Sequence, residues 1–401
     1  MKDTPLPLDG IRVLDIATFL AGPFCSSIMG EFGADVIKIE QPGVGDPLRK
    51  FGTPTESGDS LVFLSEARNK KSISLDLRQP EGVELLKRLV AISDVVVENF
   101  RTGTLEKWGV GYEHLSAVNA GLVMLRVTGY GQTGPKSKEP GFARIAHAFS
   151  GLSYLAGEPG GPPLMPGSTS LADYLAGTYG AIGVLMALRH RDRTGEGQYI
   201  DIALYEPIFR YLDEIVPAYA RHGFVRERMG ADTVNVVPHS HYPTQDGKHI
   251  AIACTSDKMF ARLAEVIGQP ELARDDRFGK VAARLQARDE VNRIVAEWTS
   301  SKLRNQALEE LKAGEVPSGP IYNIAEIFAD PHYAARGVLE KVMDERVGEI
   351  TVPAVMPKLS KTPGRIKHLG PPFAAHNDDI YGKLLGLSRD EQEALKAKGV
   401  I

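Results

Sequence analysis

Three features of this 401-residue chain have residue types suited to chemistry: a carboxylate at a helix start, a histidine pair, and the loop after the first strand. Asp173 follows Gly167-Ser168-Thr169-Ser170 and opens a stretch rich in Gly and Ala. An acid in the first turn of a helix is held by the helix dipole, a structural role that needs no substrate. A carboxylate beside a cleft can also take part in catalysis. Taken alone, the residues leave both roles open. His239-Ser240-His241 puts two imidazoles on one face of an extended segment. With no third ligand clustered nearby, they read as loop or interface histidines, and no metal is expected. The loop Phe19-Leu20-Ala21-Gly22-Pro23 lacks GxGxxG, and Pro23 removes an N–H that would face a pyrophosphate. Glu40 stands where a ribose-binding acid would, yet without the glycines a nicotinamide oxidoreductase is disfavoured. GxxxxGK[ST], HExxH and GxSxG are absent from the sequence.

The elements that must position these groups alternate. Ile11-Arg12-Val13-Leu14-Asp15-Ile16 has strand character, followed by the Ala21-Gly22-Pro23 turn, a helical stretch, Gly33 and a second strand over 36–39. The theme recurs: strand 73–75, a helix opening at Pro80 and running to about Ala91, strand 95–97, and a further strand over 122–127. Such alternation predicts an α/β fold, with a mostly parallel sheet covered by helices on both faces. A long helix over 171–189 carries Gly177, Gly180 and Gly183. Glycines at that spacing weaken an isolated helix but let another backbone come close, so the helix should lie against the sheet or a second chain. A basic, Gly-rich turn over 189–197 then enters strand 198–203.

Beyond about residue 221 the texture changes. Asp246-Gly247 marks a hairpin turn between His241-Tyr242-Pro243-Thr244 and strand 249–254. Amphipathic helices are predicted over 258–267, 287–298 and from about 305. The expected division is a large domain over 1–220, a smaller α/β domain over 221–325, and a return to the large domain over 326–401. Ser388-Arg389-Asp390-Glu391 reads as a capping box opening a terminal helix.

Composition bounds the function. Lys and Arg number 47 against 51 Asp and Glu, a formal charge of -4, so no bulk field favours nucleic acid or an anionic membrane. Cys25 and Cys254 make neither a disulfide framework nor a CxxC pair. Met1-Lys2-Asp3-Thr4-Pro5 lacks a signal peptide's apolar stretch, and the apolar segment over 175–188 is too short to span a bilayer. A cytoplasmic protein is expected.

Taken in order, several segments resemble the class III CoA-transferase family, which holds formyl-CoA and carnitine CoA-transferases and the α-methylacyl-CoA racemases. Leu8-Asp9-Gly10-Ile11-Arg12-Val13-Leu14-Asp15 with Ala21-Gly22-Pro23 is similar to the family's opening, and Gly33-Ala34-Asp35-Val36-Ile37-Lys38-Ile39-Glu40 to its second strand. Asn69-Lys70-Lys71-Ser72-Ile73-Ser74-Leu75-Asp76-Leu77 and Val97-Glu98-Asn99-Phe100 resemble its CoA-binding blocks. Asp173 with the Gly-rich helix and Thr194-Gly195-Glu196-Gly197-Gln198 resemble its central block, and Val316-Pro317-Ser318-Gly319-Pro320 its end. The resemblance runs from about residue 8 to 401.

It implies a Rossmann-like large domain, a smaller domain, and two chains interlocked as a homodimer. It implies no tightly bound cofactor, with coenzyme A as substrate and Asp173 as nucleophile. Arg78 and Lys107 would face CoA phosphates, Leu75, Phe100, Thr104 and Trp108 would line the adenine and pantetheine path, and Asn99 would hydrogen-bond. Departures from the family pattern narrow the chemistry. Leu20 stands where some members carry Gln, and Cys254-Thr255-Ser256-Asp257 replaces the glycine loop of formyl-CoA transferases, so oxalate and formate are not expected. Phe142 occupies the racemases' catalytic His position. In Ala143-Arg144, which replaces a common acid, Arg144, or else nearby His147, is expected to read the distal carboxylate of a dicarboxylic acid; a structural ion pair is the alternative for Arg144. The nearest match is transfer from succinyl-CoA to malate, citramalate, mesaconate, itaconate or glutarate. The rival readings are a racemase-type isomerase and an inactive CoA-binding subunit of a heteromeric transferase.

Overall fold

The computed structural model describes residues 5–401; Met1 to Thr4, within the segment read as free of a signal peptide, lie outside the described residues. Its main sheet has six parallel strands: β1 (Arg12–Asp15), β2 (Asp35–Glu40), β3 (Lys70–Ser74), β4 (Val95–Glu98), β5 (Val123–Thr128) and β6 (Gln198–Ala203). Their order is β3-β2-β1-β4-β5-β6, the doubly wound order of dinucleotide-binding folds. Val13 pairs with Val36 on one side and Val95 on the other. Runs such as Val95-Val96-Val97 and Leu122-Val123-Met124-Leu125 are fully buried because helices cover both faces, which is why they read as unbroken apolar strings.

Helices α1 (Ala21–Glu31), α2 (Pro80–Val90), α3 (Ala143–Phe149) and α4 (Leu171–Thr194) matter most for the site. By length and apolarity, α4 is the one helix among the described residues that could cross a membrane. Here its glycine face is filled by protein. A Cβ at Gly177 would stand 2.7 Å from the Ala21 carbonyl oxygen, and one at Gly180 2.6 Å from Leu125 Cδ2. The expected close approach is therefore to α1 and the sheet. Helix α4 also runs past the predicted end at 189. Arg191 and Arg193 suit a helix C-terminus, and Gly195 closes it at φ 79°, its N–H donating to the Arg191 carbonyl.

The C-terminal segment returns to the sheet edge: the Asp76 N–H donates to the Val400 carbonyl, and the Tyr381 hydroxyl to the Ser74 carbonyl. Its last helix, Arg389–Ala397, carries the capping box read at Ser388 and Glu391. An antiparallel hairpin, Leu339–Asp344 with Gly348–Pro353, was not foreseen.

The described residues divide into two compact units, 5–152, 165–221 and 334–401 in one, 153–164 and 222–333 in the other. The sequence placed no break near 153–164. The second unit has a three-stranded antiparallel sheet, His239–Pro243, His249–Ala253 and Ser318–Pro320, with Gly247 at φ 72° in the turn. Its core gathers Ile250, Ile252, Phe260, Leu263, Val291, Val295 and Leu311 from the sheet and its helices.

Candidate active site

In an open parallel sheet, ligands bind beyond the carboxyl ends of the strands where strand order reverses, because loops on either side diverge and leave a crevice. The reversal here lies between β1 and β4. The chain leaves β1 into residues 16–20 and β4 into residues 99–102, and two adjoining cavities are built on these loops. One is lined by Leu20, Arg101, Glu139, Phe142 and Asp173 among others, the second by Leu75, Arg78 and Trp108. Thr18 and Phe100 line both, so the two cavities are immediate neighbours.

Side chains from several strands clamp the loop after β1. The Asn99 amide accepts the Thr18 N–H at 2.8 Å and donates to the Thr18 carbonyl at 2.7 Å. Phe19 sits at φ 58°, a conformation strained for a non-glycine residue, and its N–H donates to Asp46 at 3.1 Å. Buried Lys38 donates to the Ala17 carbonyl at 2.8 Å and pairs with Asp46 at 2.7 Å. On the other side, Glu98 accepts the Phe100 N–H at 2.7 Å while Arg126 donates to its second oxygen at 2.8 Å. Both cavity walls thus rest on buried, paired charges rather than on loose loops.

Asp173 is the third residue of α4 and partly buried. Its carboxylate has no ion pair or side-chain hydrogen bond among the described residues, and burial raises it to about 7. Leu20 and Ala21 line the same cavity, at the N-terminus of α1, where the first backbone N–H groups have no partner within the helix. Such donors suit an oxyanion.

The remaining predicted residues divide. Leu75, Arg78, Phe100 and Trp108 line the outer cavity, with Phe100 and Trp108 edge to face at 5.1 Å. Arg78 makes a two-point contact with Asp76, yet its side chain remains half-exposed. Asn99 lines the inner cavity but spends its amide on Thr18. Thr104 and the exposed Lys107 follow Phe100 in a short helix and line neither cavity.

Arg144 and His147 both lie outside the lining of the inner cavity. Arg144 is exposed on α3 and outside the inner cavity. His147 is fully buried, and its Nε2 accepts the Ala172 N–H at 3.0 Å. Each helical residue turns the side-chain direction by about 100°, so positions two and five residues beyond Phe142 leave the face that Phe142 presents. Sequence reasoning missed Arg101, an exposed residue that lines the inner cavity and has no ion pair among the described residues, and the Gly129–Gly141 contact. A Cβ on Gly129 would sit 2.7 Å from the Gly141 Cα, so only glycine lets residues 140–142 lie so close to the end of β5.

The family-model match covers residues 8–377 and is to CoA-transferase family III. The chain belongs to CoA-transferase family III. Within that family it is 53% identical over 397 residues to the alpha subunit of a succinyl-CoA–L-malate CoA-transferase from Chloroflexus aurantiacus, covering 99% of this chain and 93% of the relative. It is also 53% identical, over 400 residues, to the beta subunit from the same organism, covering 99% of both. Among solved structures, a CAIB/BAIF family protein from Brucella suis superposes with a TM-score of 0.84 at 36% identity, covering 95% of this chain and 100% of that one.

The family's α/β core brings α4 against α1 directly behind the carboxylate. Gly177 lies one turn beyond Asp173 and faces the Ala21 carbonyl. Gly177→Ala is expected to destabilise the protein by roughly 1–3 kcal/mol, because the added methyl meets backbone that cannot rotate away. It should also lower kcat by pushing the first turn of α4 away from Leu20 and Ala21. Thermal melts beside steady-state rates check both effects.

Proposed function

We propose that the protein moves CoA from succinyl-CoA to a free dicarboxylic acid of four or five carbons, with Asp173 as the covalent carrier. The observation that carries this reading is an unpaired carboxylate in a cavity at the sheet's switch point, raised to about 7 by burial. Above that value it is an anion with little solvent around it, and so a strong nucleophile. Attack on the thioester carbonyl forms an aspartyl–acyl anhydride and expels the CoA thiolate. The thiolate attacks the aspartyl carbonyl, giving an aspartyl thioester and free succinate. The acceptor carboxylate then displaces the thiolate to form a second anhydride, and the thiolate takes the acceptor acyl group and restores Asp173. Thioester energy is retained throughout, provided water stays out of the cavity.

Phe19 and Phe142 pack edge to face at 6.4 Å on the cavity wall, an apolar cover suited to that exclusion. No histidine is among the cavity's lining residues, and its second carboxylate, Glu139, is paired with Lys136, which disfavours the Asp–His proton exchange of a racemase. The outer cavity, with Arg78 at its edge and the Phe100–Trp108 pair in its wall, suits the nucleotide end of CoA. Two copies associating, interlocked as the family resemblance implies, would cover the exposed Ile182, Leu185 and Met186 of α4.

The distal carboxylate is assigned to Arg101 in place of Arg144. It lines the cavity that holds Asp173, has no carboxylate partner among the described residues, and its planar guanidinium suits a two-point contact. Arg101→Ala is expected to raise KM for a dicarboxylate acceptor by about 10- to 100-fold, the range for one lost charged hydrogen-bond pair. A monocarboxylate of similar length should be used no worse than before, and Arg144→Ala should change neither. Product thioesters from succinyl-CoA and a panel of free acids, measured by mass, test the assignment and name the acceptor. Transfer to no acid at all would favour the inactive-subunit reading.

A further inference from the structure

Helix α4 begins without a cap of its own: Ser170, at the N-cap, makes no side-chain bond to the first turn. An acceptor comes instead from α3, where His147 Nε2 takes the Ala172 N–H at 3.0 Å in a fully buried contact. Because Nε2 accepts, it carries no proton, and the neutral ring must hold its proton on Nδ1. Nδ1 is also buried and has no hydrogen-bond partner. An apolar side chain of the same volume would avoid that orphaned donor, so packing alone is a poor account of a histidine here.

We infer that His147 is a positioning residue: its unprotonated Nε2 fixes the first turn of α4 and so sets where the Asp173 carboxylate points. The inference rests on Asp173 being the nucleophile. Ala172 and Asp173 are adjacent in that turn: the Asp173 N–H donates to the Ser170 carbonyl at 2.9 Å, whereas the acceptor for the Ala172 N–H is His147. A released Ala172 N–H would leave the turn free to fray, moving the carboxylate from the geometry that attack requires. The ring touches no cavity surface, so its loss should act on turnover and spare the binding of acyl-CoA.

Two polar replacements separate position from packing. The glutamine side-chain oxygen reaches about as far as Nε2, whereas asparagine ends near the Nδ1 position. His147→Gln is expected to keep at least a third of wild-type kcat, and His147→Asn to lose tenfold or more with KM for the acyl-CoA within twofold. Hydrogen exchange at the Ala172 amide, read on the folded protein, gives a second measure independent of turnover. Protection should persist in the glutamine variant and fall in the asparagine variant, even where the latter melts early. Equal kcat in the two variants, or a rise in KM with kcat unchanged, overturns the inference. If Asp173→Ala kept its activity, the covalent reading would fall first, taking this inference with it. Loss in Asp173→Ala with a fully active His147→Asn would overturn the positioning role alone.

Discussion

Asp173→Ala should lower kcat for CoA transfer by at least about 10,000-fold, the scale seen when a covalent nucleophile is removed. The cavity offers no replacement: Glu139, the other carboxylate in its lining, is already paired with Lys136 at 3.1 Å. Incubation with acyl-CoA and hydroxylamine should leave a hydroxamate on the peptide containing residue 173 in the wild type and none in the variant. A labelled peptide elsewhere would remove Asp173 from the mechanism.

The carboxyl's raised value fixes the sign of two pH effects. Attack needs the anion, so kcat/KM should reach half its plateau near pH 7 and fall about tenfold per unit below it. Stability runs the other way. A carboxyl whose folded value, about 7, lies above its ordinary 3.8 binds a proton more firmly in the native state. Native stability therefore declines as pH climbs through that window, from about 4 to 7. Asp173→Asn, which carries no charge to bury, should melt higher than wild type at pH 8 while remaining inactive. A site built to hold an unpaired charge gives up stability for reactivity.

The strands were legible because parallel strands buried on both faces read as near-continuous apolar runs, broken here only by paired charges such as Asp15, Lys38 and Arg126, and β1, β2, β4 and β5 lie within a residue or two of where the residues placed them. The glycines of α4 were legible for a different reason: an interval of three or four residues is one helical face, and close packing is the plain reason to leave it bare. Asp173 stood out as a helix-start acid, but only the resemblance raised it above a dipole-stabilised residue. What remained hidden was orientation. Arg144 and His147 lie close to Phe142 in sequence, and the helical turn sends one to solvent and the other into the interior. Arg101 sits beside Phe100 in a block read as CoA-binding, and nothing local says that it lines the same cavity as Asp173. The hairpin was hidden because its first strand, Leu339-Glu340-Lys341-Val342-Met343-Asp344, does not alternate polar and apolar residues.

Asp15→Ala should destabilise the fold by about 3–5 kcal/mol, the range for removing one partner from a buried ion pair. Asp15 is wholly buried and accepts from Lys70 at 2.8 Å, Ser26 at 2.7 Å and the Ala17 N–H at 3.2 Å, with Lys38 at 3.9 Å. Burial alone would raise its carboxyl, but the two ammonium groups and these hydrogen bonds hold it below the usual value. Without it, Lys70 keeps only the Pro23 carbonyl and the Ser26 hydroxyl, while Lys38 keeps Asp46. The deficit, read by urea melts, should shrink at high pH, because burial lowers the Lys70 value and an unpaired amine can shed its proton. Asp15→Ala combined with Lys70→Met should recover part of the loss, since no lone charge is then buried. Recovery of folding without recovery of transfer would separate two jobs of this network: closing the core, and holding the Ala17–Thr18–Phe19 loop, whose Thr18 and Phe19 line the cavity together with Asp173. Equal recovery of both would mean that Lys38 and Asp46 suffice to set the loop.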